Sequence, residues 1–362
     1  MRQIIVNASA LRSGGALTIL QQFIEAIPDD GINYIVFCDD SITIDHSKKN
    51  LQLVPINARS FFKRFVWDAF RIKNWVKSYG IKPIAGISLQ NTNFRIGDYC
   101  PNFIYYHQPI PLYPNNWSLL KSSERALWFY KHIYPFFVKL FLNSQTEIFV
   151  QLEFIKVGFS RRFHFDANKI HVVFPDMEIP SYSQKAKIFL DYKKLNLFYP
   201  ASALIYKNHE VLFRSLLLID EQLKKEVVLY LTNTSDEFKV LPIFKNVNIV
   251  FLDKITHDNV IWLFNNVDAL LFPSYIETLG LPLIEAASFG LPVLAADLPY
   301  AREVLDGYTG VSYVNYKDVV AWGQAIIKLS TEEKIRHEHY KKLNTKSWTE
   351  FFDTIKKRIS HV

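Results

Sequence analysis

Glu277 and Glu285 stand with seven residues between them in FPSYIETLGLPLIEAASFGLPVLAA, the stretch from Phe272 to Ala296, and neither has a nearby basic partner in the sequence. Gly280 and Leu281 lie between them at the start of a helix, with Pro282 in its first turn, where a missing N–H costs nothing. Unpaired backbone N–H groups and the positive end of the helix dipole suit a phosphate there. A carboxylate one turn further in could accept hydrogen bonds from a ribose diol. The loop carboxylate, Glu277, would then face whatever hangs beyond the phosphates. The plainer reading makes Glu285 a solvated helix residue and Glu277 a complement to the dipole. The helix reads LPLIEAASFG, apolar nearly all round, which suits a buried α/β helix with little solvated face. Ionisable groups in such surroundings are usually there for chemistry.

The elements that must position these groups are legible on either side. Val267 and Ala269 to Phe272 form an apolar run of strand length that Pro273 and Ser274 stop. A helix of about ten residues follows, Gly290 sits where a helix C-terminal glycine belongs, and Pro292 to Ala296 reads as the next buried strand. Upstream, Asn196 to Pro200 gives a strand, Ala201 to Asn208 a loop, and His209 to Leu218 a helix. Lys207 therefore stands just ahead of a helix, where the dipole disfavours a cation and an anionic ligand would repair the conflict. Phe103 to Tyr106 forms a strand that delivers His107 to its carboxyl end, where open α/β sheets keep their ligands.

The segment FPSYIETLGLPLIEAASFGLPVLAADLPYAREVL resembles the donor-binding signature of the retaining nucleotide-sugar glycosyltransferases of family 4, the group 1 transferases with the GT-B fold. Their two glutamates separated by seven residues, the first followed by a Gly-Leu-Pro-like turn, match Glu277, Gly280 and Glu285. The resemblance implies that Glu285 holds the nucleotide ribose, that Glu277 touches the donor sugar, and that the backbone of Thr278, Leu279, Gly280 and Leu281 receives the diphosphate. It further implies that Lys207 binds the diphosphate and that His107 orients the donor sugar rather than transferring a proton. Gly14 and Gly15 would line the cleft opposite the donor. A tight turn that simply needs glycine accounts for that pair equally well. The family commonly carries an arginine a few residues before the lysine, where this chain has Ala201, Ser202 and Ala203. Leaving-group stabilisation would then fall more heavily on Lys207 and backbone donors.

A chain of 362 residues with 49% hydrophobic content can bury two cores, and the resemblance implies the α/β class, with two Rossmann-like domains whose parallel sheets face across a cleft. The domains are placed at 1–178 for the acceptor and 179–345 for the donor, and the resemblance implies that 346–362 returns to the first as a helix. The crossover is read near 174–185, FPDMEIPSYSQK, from its prolines, serines and lack of periodicity. Only Cys38 and Cys100 are present, which argues for a reduced compartment and against a disulfide framework. Arg2 is followed at once by the strand-like Ile4-Ile5-Val6 and then polar residues, so no secretory signal is read, and the expected place is the cytoplasm or the inner face of its membrane. The longest apolar run, 133–138, is far too short to span a bilayer.

The net charge of +7 is unevenly spread, since residues 1–180 hold 20 Lys and Arg against 14 Asp and Glu, while residues 181–362 hold 22 against 21. In the first half a strand from Gln3 to Asn7, a loop at Ser13 to Ala16 and a helix from about Thr18 to Ile27 make a Rossmann-like opening. It lacks GxGxxG, which weakens any oxidoreductase reading. Residues 58–80 form a helical stretch with six basic residues, Arg59, Lys63, Arg64, Arg71, Lys73 and Lys77, opposed only by Asp68 and interleaved with Phe and Trp. Two readings fit it: contact with an anionic membrane, or an ordinary packed helix with solvated charges. Residues 119–142, rich in Trp, Phe and Tyr, add a second candidate surface. No nucleic-acid motif accompanies the charge. No DxD triplet occurs, and His337 and His339 would lie on different faces of a helix, so no metal or other cofactor is expected. No GxSxG elbow supports a serine nucleophile.

The activity these readings imply is retaining transfer of a hexosyl group from a nucleotide diphosphate sugar to a glycan or lipid-linked saccharide, as in bacterial O-antigen or capsule assembly. A nucleotide-sugar epimerase of the same fold, or a catalytically silent interaction partner, are the alternatives.

Overall fold

The computed structural model describes residues 2–97, 100–174, 188–341 and 347–360. The chain divides into two compact units, Met1–Met177 with Asn344–Val362, and Glu178–Leu343. The crossover expected at 174–185 lies, from residue 175 onward, outside the described residues.

The first unit is built on seven parallel strands, β1 (Gln3–Asn7), β2 (Asn33–Asp39), β3 (Leu51–Ile56), β4 (Ala85–Ser88), β5 (Asn102–Tyr105), β6 (Thr146–Val150) and β7 (Ile170–Val172), in the spatial order β3-β2-β1-β4-β5-β6-β7. Parallel strands are covered on both faces, and alternate residues of β1 accordingly serve two cores. Ile4 and Val6 pack with Leu20, Phe23 and the chain's last helix, while Ile5 packs with Phe37, Ile72 and Val76.

Helix α1 (Gly14–Ala26) starts earlier than its apolar period suggests, so Gly14 and Gly15, expected in a loop, form its exposed first turn after the N-cap Ser13. Neither glycine has a side chain to bury, so the start of the helix gives no apolar signal. The 58–80 stretch folds as α2 (Phe61–Val66), a π-helical turn (Trp67–Arg71) and α3 (Ile72–Ser78). Its aromatics divide: Trp67 and Trp75 pack edge-on to Phe37 at 5.1 and 5.0 Å, whereas Phe62 is 73% and Phe70 54% exposed. Asp68 does not oppose the surface charges, because the π turn carries it into the interior, where it is 4% exposed. Helices α4 (Arg125–His132), α5 (Tyr134–Leu140) and α6 (Glu153–Phe163) follow. The terminal helix, Ser347–Ile359, belongs to this unit and sets Trp348 5.7 Å from Phe23 and Phe351 4.3 Å from Phe149.

The second unit has six parallel strands, β8 (Leu195–Tyr199), β9 (Val227–Leu231), β10 (Val247–Phe251), β11 (Ala269–Phe272), β12 (Val293–Ala296) and β13 (Val311–Val314), in the order β10-β9-β8-β11-β12-β13. Its helices include α7 (His209–Ile219), α8 (His257–Asn266) and α9 (Leu281–Ser288). Both sheets start in the middle, run to one edge and resume on the other side. The loops after β1 and β4, and those after β8 and β11, therefore diverge at the carboxyl ends and leave a crevice in each unit. The fold expected from sequence, two Rossmann-like parallel sheets, is the fold observed, with the ends of the expected elements shifted by a residue or two except at the start of α1.

Gly290 ends α9 in the left-handed region, φ +66°, and the amides of Gly290 and Leu291 return to the carbonyls of Ala287 and Ala286 at 2.9 and 3.1 Å. A Cβ there would also lie 2.2 Å from the carbonyl oxygen of His337, so only glycine fits. His337 and His339 are not helical. Residues 333–341 run irregularly, with the His337 amide donating to Gly290 O at 2.8 Å and Arg336 donating to the carbonyls of Phe264, Asn265 and Val267 at the end of α8. Among the described residues no helix is long and apolar enough to cross a membrane.

Candidate functional site

In the second unit the loops after β8 and β11 are tied together beside the crevice. A short 3-10 turn, Ile205–Lys207, is followed by Asn208 in the left-handed region, and Asn208 Nδ2 donates to the carbonyl of Tyr316 at 2.8 Å. Tyr199 Oη donates to Lys207 O at 2.6 Å, and the Tyr275 amide to Tyr206 O at 2.9 Å. This stitching brings Lys207 Nζ to 2.5 Å from Glu277 Oε1, with the two side chains 18% and 12% exposed. Glu277 thus has a basic partner 70 residues away in the chain, contrary to the sequence reading. Spacing along the chain could not show it, because the pair forms only when β8 and β11 lie side by side.

Glu285 lies one turn into α9 and also has a partner. Its Oε1 is 2.9 Å from His257 Nε2, on the first turn of α8, with side-chain exposures of 14% and 60%. That hydrogen bond raises the His257 pKa, outweighing partial burial. His257 was not singled out from sequence, since nothing in its neighbourhood but the N-cap Thr256 marks it. Between the two glutamates, Gly280 takes φ +75° and caps α9, with a Tyr300 ring atom 3.4 Å from where a Cβ would stand. Leu279 is buried, Thr278 half-buried and Leu281 exposed at the helix start. A lysine, two carboxylates and a helix N-terminus are therefore gathered at one topological switch point, an arrangement that suits an anionic, hydroxyl-rich ligand.

Gly14, Gly15 and His107 belong to the first unit. A Cβ placed on either glycine would meet no atom within 4 Å. His107 follows β5, and its amide donates to Asn91 Oδ1 at 2.5 Å. Burial pushes its imidazole down to about 4, so it is neutral at physiological pH. It lines a cavity of about 180 Å³ at the carboxyl ends of β1, β4 and β5, together with Arg64, Asp68, Gln90 and the rings of Phe61, Phe65, Tyr130 and Phe137. Asp68 is held from behind: Asn7 Nδ2 donates to Oδ1 at 2.7 Å and Gln90 Nε2 reaches both oxygens at 3.0 Å. Ser9 Oγ and the Ala10 amide in turn hold Gln90 Oε1 at 3.0 and 3.1 Å. Burial raises the Asp68 carboxyl to about 7 in spite of these amide donors. Sequence reading counted Arg64 and Asp68 as surface charges, because the π turn that redirects the helix has no signature in residue type.

Comparison with known proteins bears on the second unit first. Residues 181–346 match the family model described as Glycosyl transferases group 1. The O-antigen chain mannosyltransferase RfbU of Salmonella typhimurium is 23% identical over 228 residues, which cover 61% of this chain and 62% of that protein. Among solved structures, sucrose-phosphate synthase from Thermosynechococcus elongatus superposes with a TM-score of 0.67 at 15% identity, all of both chains being covered. Anabaena Alr3699/HepE in complex with UDP and glucose gives 0.62 at 13%, again over all of both chains. The fold is accordingly of the GT-B class, and the match to the group 1 model lies within the second unit but for its last three residues.

Proposed function

We propose that the chain is a retaining glycosyltransferase that moves a hexosyl group from a nucleotide diphosphate sugar to an acceptor hydroxyl. The observation that carries this reading is the Lys207–Glu277 pair at the β8/β11 switch point, 2.5 Å apart and beside the N-terminus of α9. A half-buried cation next to helix amides suits a diphosphate, and a carboxylate hydrogen-bonded to that cation lies where the attached sugar would extend. The match of residues 181–346 to a glycosyltransferase family and the UDP complex of a structural neighbour support the donor class.

In this mechanism Glu285 turns from His257 toward the ribose diol, and the diphosphate settles on Lys207 and the amides of Thr278, Leu279, Gly280 and Leu281. As the bond from the sugar's anomeric carbon to the phosphate oxygen stretches, positive charge grows on the sugar and negative charge on the leaving diphosphate. Lys207 answers the second. With Ala201 where the family commonly has arginine, that burden rests on Lys207 and the backbone. Glu277 faces the first, and the neutral His107 orients the sugar. The acceptor oxygen attacks from the face the diphosphate leaves, forming the new anomeric bond, and its proton passes to a departing phosphate oxygen. No metal is required in this scheme. The likeness to an O-antigen mannosyltransferase favours a saccharide or lipid-linked acceptor of a bacterial surface polysaccharide, with the protein in the cytoplasm at the membrane's inner face.

Incubation with UDP- and GDP-sugars, in the presence and absence of saccharide and lipid-linked acceptors, should release nucleotide and retain the anomeric configuration in the product. Failure to bind or release either nucleotide would overturn the reading. Turnover of donor without any acceptor product would point to an epimerase instead.

A further inference from the structure

The first unit carries a ligand apparatus of which the donor chemistry uses His107 alone. Its cavity opens at the carboxyl ends of the strands flanking the β1/β4 switch point, where open α/β sheets bind ligands. The helix that walls it is interrupted by the π turn Trp67–Arg71, a rare feature that recurs at functional sites. The interruption has a visible result, since it sends Asp68 inward onto the amides of Asn7 and Gln90. Arg64, one turn earlier, also lines the cavity, yet it forms no ion pair with Asp68, and its buried Nε has no hydrogen-bond partner among the described residues. A buried donor left without a partner is costly, and a ligand acceptor would relieve it. Around these two polar groups stand the aromatic rings of α2, α4 and α5, with Phe61 edge-on to Phe137 at 4.7 Å.

We propose that this cavity binds a saccharide ring bearing an anionic substituent, a carboxylate or a phosphate, with Arg64 selecting the anion, Asp68 accepting a hydrogen bond from a ring hydroxyl, and an aromatic face covering the apolar side of the ring. The chemistry follows from the lining. The guanidinium offers a planar fork to a carboxylate or phosphate. The amide-held Asp68 has acceptor capacity left on Oδ2, which receives a single hydrogen bond from Gln90. The proposal rests on the transferase reading in one respect only, that this saccharide is the acceptor.

The test measures binding of glucose, glucuronate and glucose 6-phosphate by ligand-observed NMR. The proteins are the wild type, Arg64→Gln, Arg64→Lys and Asp68→Asn, with UDP and GDP binding followed in parallel. The wild type should prefer at least one anionic sugar over glucose by about tenfold or more, the scale of one charge-assisted hydrogen bond. Arg64→Gln should erase that preference, Arg64→Lys should keep part of it, and Asp68→Asn should weaken all three sugars together. Whether glucuronate or glucose 6-phosphate binds better identifies the anion. A wild type that binds none of the sugars or treats them alike, or a preference that survives Arg64→Gln, overturns the proposal. Should Arg64→Gln fail to fold, the ordering of wild type over Arg64→Lys decides in its place. Loss of nucleotide binding in the wild type, by contrast, would refute the donor site and leave the sugar result standing.

Discussion

At the scale of single residues, the two carboxylates of the second unit start from two different bonded states, Glu277 on Lys207 and Glu285 on His257. In the proposed mechanism Glu285 exchanges a largely exposed histidine for a ribose, so Glu285→Ala removes a charge-assisted hydrogen bond and should weaken nucleotide diphosphate binding by roughly 10- to 150-fold, from ~1.5–3 kcal/mol. Calorimetric titration checks this, and an unchanged affinity would refute the ribose role. Lys207→Ala should instead depress turnover by about 100-fold or more, with a smaller effect on binding, because diphosphate charge grows in the transition state. It also removes the cation 2.5 Å from Glu277, so Lys207→Arg is the cleaner comparison. In the first unit, burial raises Asp68 to about 7, whereas an unfolded chain returns it to an ordinary carboxylate. A raised folded pKa contributes stability that is fully present below pH ~4 and is lost as pH rises through ~7. The charged groups near it are Arg64, which opposes the shift, and the Tyr134 phenol, itself pushed up by burial. Urea midpoints for the first unit, followed by amide exchange on β1 and β4, should therefore fall between pH 4 and 7. Asp68→Asn should flatten that slope.

At the scale of elements, the helical run from Phe61 to Ser78 has two unlike sides. One side is packed, with Trp67 and Trp75 against Phe37, and the other carries Phe62, Phe70, Lys63, Arg71, Lys73 and Lys77 in the open. Phe61 meets Phe129 and Phe137, so the outer side continues onto α4 and α5, where Phe136 is 62% exposed. A surface of exposed aromatics and lysines suits an anionic bilayer, each basic residue contributing ~1 kcal/mol at low salt. Replacing Lys63, Arg71, Lys73 and Lys77 with glutamine should release the protein from anionic liposomes in co-sedimentation while sparing nucleotide binding. Arg64 is left in place because it faces the cavity. A quadruple variant that sediments as the parent does would return the stretch to an ordinary packed helix.

At the scale of the molecule, the chain's last helix closes the unit in which the chain began. Trp348, Phe351, Phe352, Ile355 and Ile359 are each 5% exposed or less. At ~1.5–3 kcal/mol per buried side chain they contribute on the order of 10 kcal/mol, comparable with the whole stability of a domain. Removing residues 347–362 should therefore unfold the first unit, seen as loss of amide protection on β1 and β2. Glu178–Leu343 should remain folded and able to bind nucleotide. Retained protection on β1 would show that the helix is dispensable.

The sequence by itself determined strands β1, β5, β8, β11 and β12, the glycine that ends α9, the proline that opens it, and the pair of glutamates around its N-terminus. Each of these depends on local periodicity or on the backbone preference of one residue type, which nearby positions are enough to reveal. Only the tertiary structure decided which charge meets which. Lys207 reaches Glu277 because two strands are neighbours, His257 reaches Glu285 because two helices are, and Asp68 is buried because one extra residue in a helical turn rotates it inward. Pairings of that kind are fixed by packing across long stretches of chain, and residue spacing carries no trace of them.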